Sequence, residues 1–239
     1  MAFDGATALW LAERAVVVAF VGALIGLDHI AVGQFMVAQP VVGAVAVAWL
    51  VGEPLLGVWS ALTFQLLWAG QLPIGAYVPP NAAITAIAAV GIAAPGSLPF
   101  SSRMVLAAAL AVPVGVLAGR LDMWVKSRNI GVLHRAENDV LDGRPFALGG
   151  AVVRGIARFF LKDFCVLLAA VFLGAALMTA AAPFIPARAV NGLRYAFVLM
   201  PAVGVASALR MYGKKNAVVA FAVGVVVALV AIGAFTLAR

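Results

Sequence analysis

From Pro54 to Ser102 the chain carries no Asp, Glu, Lys or Arg. A soluble domain cannot leave so long a stretch uncharged and still cover its surface, because about a quarter of an ordinary domain's residues are charged. The runs His29–Gly52, Phe164–Ala187 and Asn216–Ala238 are free of these residues too. A helix crosses a bilayer with ~20 apolar residues. With 65% hydrophobic and only 10% charged residues, the surface must be solvated by lipid. Only helices and closed barrels satisfy their backbone there. The fold class is therefore read as an all-α polytopic integral membrane protein of about seven to eight apolar helical segments. Their expected spans are 8–27, 31–51, 54–72, 81–97, 102–119, 164–183, 195–210 and 216–237. The first has Asp4, Glu13 and Arg14 at its start and no basic leader, so it is read as a retained helix rather than a signal peptide.

Charge sets the expected topology. Eight of the sixteen basic residues (Arg120, Lys126, Arg128, Arg135, Arg144, Arg154, Arg158 and Lys162) fall in one polar interval, Arg120 to Asp163. The positive-inside rule puts that interval in the cytoplasm. The chain thus divides into an N-terminal membrane region, 1–119, holding the candidate substrate site; a cytoplasmic loop, 120–163; and C-terminal membrane helices, 164–239. Within the loop, Gly149–Asp163 reads as an amphipathic interfacial helix, with Arg154, Arg158 and Lys162 every four residues along one face. The net charge of +7 follows from this anchoring and not from a nucleic-acid surface, for which no soluble domain exists. Cys165 is the single cysteine and sits in an apolar run, so neither a disulfide nor a metal site is expected.

Five apolar segments precede the basic interval, and the stretch Gln71–Asn81 breaks the pattern with three prolines and a glycine. No continuous helix survives that composition, so a re-entrant or broken element is expected near 73–81. Such backbone is tolerated at membrane depth only where protein buries it or it lines a wet cavity.

Polar residues in apolar segments mark candidate sites. Glu13 and Arg14 fit a headgroup position. Asp28-His29 fits a loop, a site or a helix contact. Glu53, before Pro54, fits a turn. Gln34 and Gln39 are further polar candidates. Asn81 reads as the N-cap of a helix starting near 82. That start either faces a cavity, as in transporter half-helices, or lies in an ordinary loop. Gln65, Gln71 and Thr63 lie nearby in sequence, with interhelical hydrogen bonding as the other reading for Thr63 and Gln65. Trp68 stands beside the break, either in an interfacial belt or as a stacking surface for a sugar.

Gln39-Pro-Val-Val-Gly, Gly52-Glu53, Thr63-Phe-Gln-Leu and Ile74-Gly-Ala-Tyr-Val-Pro-Pro-Asn-Ala-Ala83 together resemble enzyme IIC of the mannose/fructose/sorbose-type phosphotransferase systems. Asn129, His134-Arg-Ala-Glu137 and Gly143 are similar to the family's central polar region, and the likeness covers about residues 20 to 165. The family carries Glu where this chain has Gln65, Asn where it has Pro73, and Asp where it has Asn81. Gln and Asn still donate and accept hydrogen bonds but cannot act as bases. The resemblance implies a sugar-translocating subunit of a phosphoenolpyruvate-dependent system, in a bacterial cytoplasmic membrane. It implies an enzyme IID membrane partner, soluble IIA and IIB phosphocarriers, and a homo- or hetero-oligomer in the bilayer. It implies no phosphorylation of the chain itself, no catalytic residue and no cofactor. The implied substrate-binding residues are Gln65 and Asn81, with Gln71 and Thr63 close by. The lost carboxylates leave a transport-deficient scaffold or regulatory relative as the alternative, and an unrelated small-solute permease as a third.

The orientation is directly testable. In single-cysteine variants, a probe at Arg135 is expected to be reached only from the cytoplasmic side by an impermeant maleimide. Labelling from the outside alone would invert the topology.

Overall fold

A computed structural model describes residues 5–71, 77–143, 148–210, 216 and 218–227. Among them there is no strand. The helices are α1 (Gly5–Ile30), α2 (Pro40–Leu50), α3 (Pro54–Trp68), α4 (Ala82–Ala93), α5 (Phe100–Leu141), α6 (Leu148–Ala181) and α7 (Ala187–Leu209). A short 3-10 turn, Ala182–Phe184, follows α6. A further apolar helix, α8, runs over Val218–Val227. Among the described residues, α1, α5, α6 and α7 are long and apolar enough to cross a membrane.

Several boundaries differ from the sequence reading, and each difference has a local cause. Residues 31–39 form a loop, because Asp28 holds it: Phe35 N–H donates to its Oδ1 (2.7 Å) and Ala38 N–H to its Oδ2 (3.1 Å). Asp28 therefore acts as a loop anchor. The interval Arg120–Asp163 is helical nearly throughout rather than a loop. α5 runs on for 42 residues to Asp142 and Gly143, whose φ of 68° is a conformation glycine adopts at no steric cost. Gly149–Asp163 is the first half of α6 and no separate helix. The proline break is seen in part: Tyr77–Asn81 is non-helical, while 72–76 lie outside the described residues.

α2 and α3 are paired into a helical hairpin. Each starts on a proline at the first helical position, where the missing N–H costs nothing. The two are joined by a turn in which Gly52 takes φ 78°. With 11 and 15 residues they rise only about 16 and 22 Å, against ~30 Å for the hydrocarbon core. α4 is as short, 12 residues or about 18 Å, and it is buried along Ala83–Ala93. It forms the centre of the bundle, against Val18 of α1, Val47 of α2, Phe64 of α3, Met104 of α5 and Leu167 of α6. α7 lies outside, where Phe197 packs on Trp59 (4.5 Å between centroids) and Phe100 (5.7 Å).

The bundle has two polar levels. At one, Arg14 donates to Val51 O (3.4 Å), and Arg103 donates to Glu53 (3.2 Å) and to the last carbonyls of α4, Ala93 O and Ala94 O (3.1 Å each). At the other, α4 begins at Asn81. There the backbones of α4 and α5 come close: Asn81 N–H donates to Gly115 O (2.9 Å), and any side chain at Gly119 would strike Pro79 O. Gly119→Ala is therefore expected to push the Pro79–Asn81 segment off α5. The cost of such overpacking is ~1–3 kcal/mol. The measurement is thermal melting in detergent, and an unchanged midpoint would show that this contact does not position α4.

Candidate functional site

The second polar level encloses a cavity of about 410 Å³. Five elements reach it: His29 from the end of α1, Gln39 and Pro40 from the start of α2, Gln65 and Trp68 from the end of α3, Asn81 to Ala83 from the start of α4, and Gly119 to Lys126 from the middle of α5. Short helices α2, α3 and α4 make this possible, because each starts or stops there instead of running through.

Asn81 sits where the sequence placed it, as the N-cap of α4. Its Oδ1 accepts from Ile84 N–H at 3.1 Å. Its Nδ2 donates to Asp122 Oδ2 at 3.1 Å, a bond an aspartate could not make without first taking up a proton. Gln65 Nε2 donates to Gln39 Oε1 at 3.0 Å, and Gln65 Oε1 is buried with no partner among the described residues. Gln71 Oε1 accepts from Tyr77 O–H at 2.6 Å. Gln65, Gln71 and Asn81 thus share one cavity. Thr63 does not line it. Its hydroxyl donates to Trp59 O (2.7 Å), and it faces a separate apolar pocket against α7. Trp68 belongs to the cavity wall, stacked on Phe64 at 5.4 Å.

A charged group lies behind this wall: the sequence reading places Lys162 on the basic face of an interfacial helix and does not single out Asp122 or Asp163 as interior, yet all three are buried. Asp122 of α5 pairs with Lys162 of α6 through its Oδ1, and Lys162 also pairs with Asp163 at 2.6 Å. Asp122, Lys162 and Asp163 are all buried, at 7%, 8% and 2% exposure. Two carboxylates held by one ammonium need the extra donor that Asn81 supplies. The available sequence signal is position: Asp122 follows one apolar span almost directly, and Lys162-Asp163 immediately precede another. Both look like ordinary loop charges until α5 and α6 are seen to continue past them. The site consequently extends beyond residue 119, through Asp122, Met123 and Lys126.

This wall offers amides, one carboxylate, a histidine, a lysine, the aromatic rings of Trp68 and Tyr77, and a helix N-terminus. Its amides both donate and accept hydrogen bonds, and Asp122 is already engaged by Lys162 and Asn81.

Residues 12–238 match the family described as the PTS system sorbose-specific IIC component. The chain belongs to this family. It is thus a sugar-transport membrane component of a phosphotransferase system, and a permease unrelated to that family is excluded. Two solved structures share the fold. A membrane protein superimposes with a TM-score of 0.65 at 23% identity, over 93% of this chain and 91% of the other. The cryo-EM structure of the mannose transporter ManYZ in complex with microcin E492 gives 0.55 at 24% identity, again over 93% and 91%. No curated protein matches the chain.

The charged group yields a stability prediction. Lys162→Met leaves two buried carboxylates facing each other, and breaking a buried pair costs ~3–5 kcal/mol. The melting midpoint should fall steeply and recover in part in Lys162→Met/Asp122→Asn, which leaves Asp163 as the one buried carboxylate of the group. Equal midpoints for wild type and Lys162→Met would mean that water reaches the group freely.

Proposed function

We propose that the chain is the sugar-translocating IIC subunit of a phosphoenolpyruvate-dependent phosphotransferase system, with its sugar site in the cavity at the start of α4. The observation that carries this is Gln65. An amide oxygen buried without a partner among the described residues costs free energy that a ligand or water in the cavity would offset. It stands in the wall of a cavity whose ~410 Å³ falls within the range of small-molecule sites, roughly 300–1,000 Å³.

Gln65, Asn81 and Gln71 contact the sugar in this reading. Thr63 supports them by tying α3 to itself and has no direct contact. Asp122 supplies the carboxylate that positions 65 and 81 lack, which favours transport over a scaffold role. The chain works in a bacterial cytoplasmic membrane, with the C-terminal end of α5 and the N-terminal end of α6 on the cytoplasmic side. The soluble IIA and IIB carriers deliver phosphate there, and an enzyme IID subunit completes the membrane complex. The outward side chains of α7, such as Val198 (70% exposed) and Val203 (57%), fit a lipid or subunit contact.

The test is hexose binding by the chain co-expressed with its IID partner. Gln65→Ala and Asn81→Ala are each expected to weaken binding, since a hydrogen bond is worth ~0.5–1.5 kcal/mol. That corresponds to roughly twofold to tenfold in affinity. Asn81→Asp, although it recreates the family residue, should also weaken binding, because it sets a second carboxylate against Asp122. Unchanged affinity in both alanine variants would move the site elsewhere. A wild-type complex that binds no hexose would favour the scaffold. Equal binding by the chain purified alone would remove the need for the partner.

A further inference from the structure

Away from the cavity, α5 and α6 leave a second groove of about 370 Å³ between them. Leu121 and Val125 of α5 and Leu161 and Val166 of α6 make its walls largely apolar, and Lys162, already paired with Asp122 and Asp163, also borders it. Two guanidinium groups, Arg128 and Arg158, stand at one end of it. Arg128 lies over the ring of Trp124, 4.8 Å from the centroid. Arg158 donates to Asn129 Oδ1 at 2.9 Å. Neither arginine meets a carboxylate among the described residues, so their charge is uncompensated and most of their five donors each remain available.

Depth along the helices gives the groove its meaning. From Arg103, at the first polar level, α5 rises about 37 Å to Arg128. From Arg158 to Phe184 at its far end, α6 and its terminal turn rise a similar ~39 Å. A bilayer measures ~30 Å across its hydrocarbon and ~40–45 Å with its headgroups. If one end of each helix sits at one interface, both arginines reach the opposite headgroup layer, and the apolar walls lie just inside it. Trp124, half exposed, occupies the level where indole rings favour the interface.

We propose that this groove binds one anionic glycerophospholipid of the phosphatidylglycerol type, its phosphodiester held by Arg128 and Arg158 and one acyl chain laid between α5 and α6. The charge selects it. Two unpaired cations complement a headgroup with a net negative charge, and a zwitterionic headgroup brings its own cation to the site. The length of the apolar wall selects a lipid over a free phosphate ion, which would leave that wall unfilled. The inference rests on the membrane fold and not on the sugar site.

The experiment uses the full chain in phosphatidylcholine vesicles doped with dibrominated phosphatidylglycerol or dibrominated phosphatidylcholine, reading the quenching of tryptophan emission. Subtracting the Trp124→Phe variant isolates the signal of the groove. Brominated phosphatidylglycerol is expected to quench that signal at a lower mole fraction, by about fivefold for each guanidinium at the membrane surface. Arg128→Gln/Arg158→Gln should abolish the preference, while Arg128→Lys/Arg158→Lys should keep part of it and show that the fold tolerates change there. Equal quenching by the two lipids in the wild type overturns the proposal, as does a preference that persists in the glutamine variant. Quenching by neither lipid would mean that protein covers the groove. Loss of the preference on adding inorganic phosphate would mean that the site holds a free ion. Either result also overturns it.

Discussion

Each end of a helix leaves backbone groups without intrahelical partners, and α4 has to settle both of its ends where water is scarce. Almost every other feature of the bundle answers that constraint. At the C-terminal end, Arg103 takes the carbonyls of Ala93 and Ala94 and is itself held by Glu53 of the hairpin turn. A cation there also suits the negative pole of the helix. At the N-terminal end, Asn81 caps Ile84 N–H, and the carboxylate of Asp122 lies within one hydrogen bond of the positive pole. Between the two ends the helix needs no polar contact except Thr85, whose hydroxyl returns to Asn81 O (2.8 Å), and an acceptor at Ala86 O for Ser60 (2.8 Å).

The cavity is a by-product of this arrangement. A helix that stops inside the protein leaves space beyond its cap, and the ends of α1, α2 and α3 arrive at the same level to wall it. Asn81 serves both structures at once. One end of its amide fixes α4, and the other completes the donors around Asp122. The two functions explain why an amide fits better than a carboxylate at this position in this chain, given Asp122, Asp163 and the single ammonium of Lys162.

Much of this is legible in the sequence, for reasons of residue chemistry. A run without charge from Pro54 to Ser102 admits only a membrane interior, and Asn81 after two prolines announces a helix start. Gln65, Gln71 and Asn81 are polar where polarity is expensive, which is why one cavity gathers them. Thr63 breaks ranks because a threonine in a helix can satisfy its own hydroxyl one turn back, as it does on Trp59 O. The hairpin of α2 and α3 is harder to read, since a short buried helix and a spanning one share the same hydropathy. Asp122, Lys162 and Asp163 are hidden by their surroundings in sequence. They border a basic interval that looks like a loop, and only the three-dimensional pairing of α5 with α6 reveals them as interior.

The separation between the packed body of α4 and the polar rim at its cap bears on how such a chain diverges. The close contacts that hold α4, at Gly115 and Gly119 on α5 and at Gly91 within it, involve the backbone of Pro79 and Asn81 and the side chains of Thr85 and Val171, but neither Gln65 nor Gln71. Exchanges at Gln65 or Gln71 alter the polar lining of the cavity and leave those surfaces undisturbed. The architecture itself is kept in solved structures only 23–24% identical to this chain. Asn81 is the exception, because it belongs to both, and a change there has to be answered at Asp122.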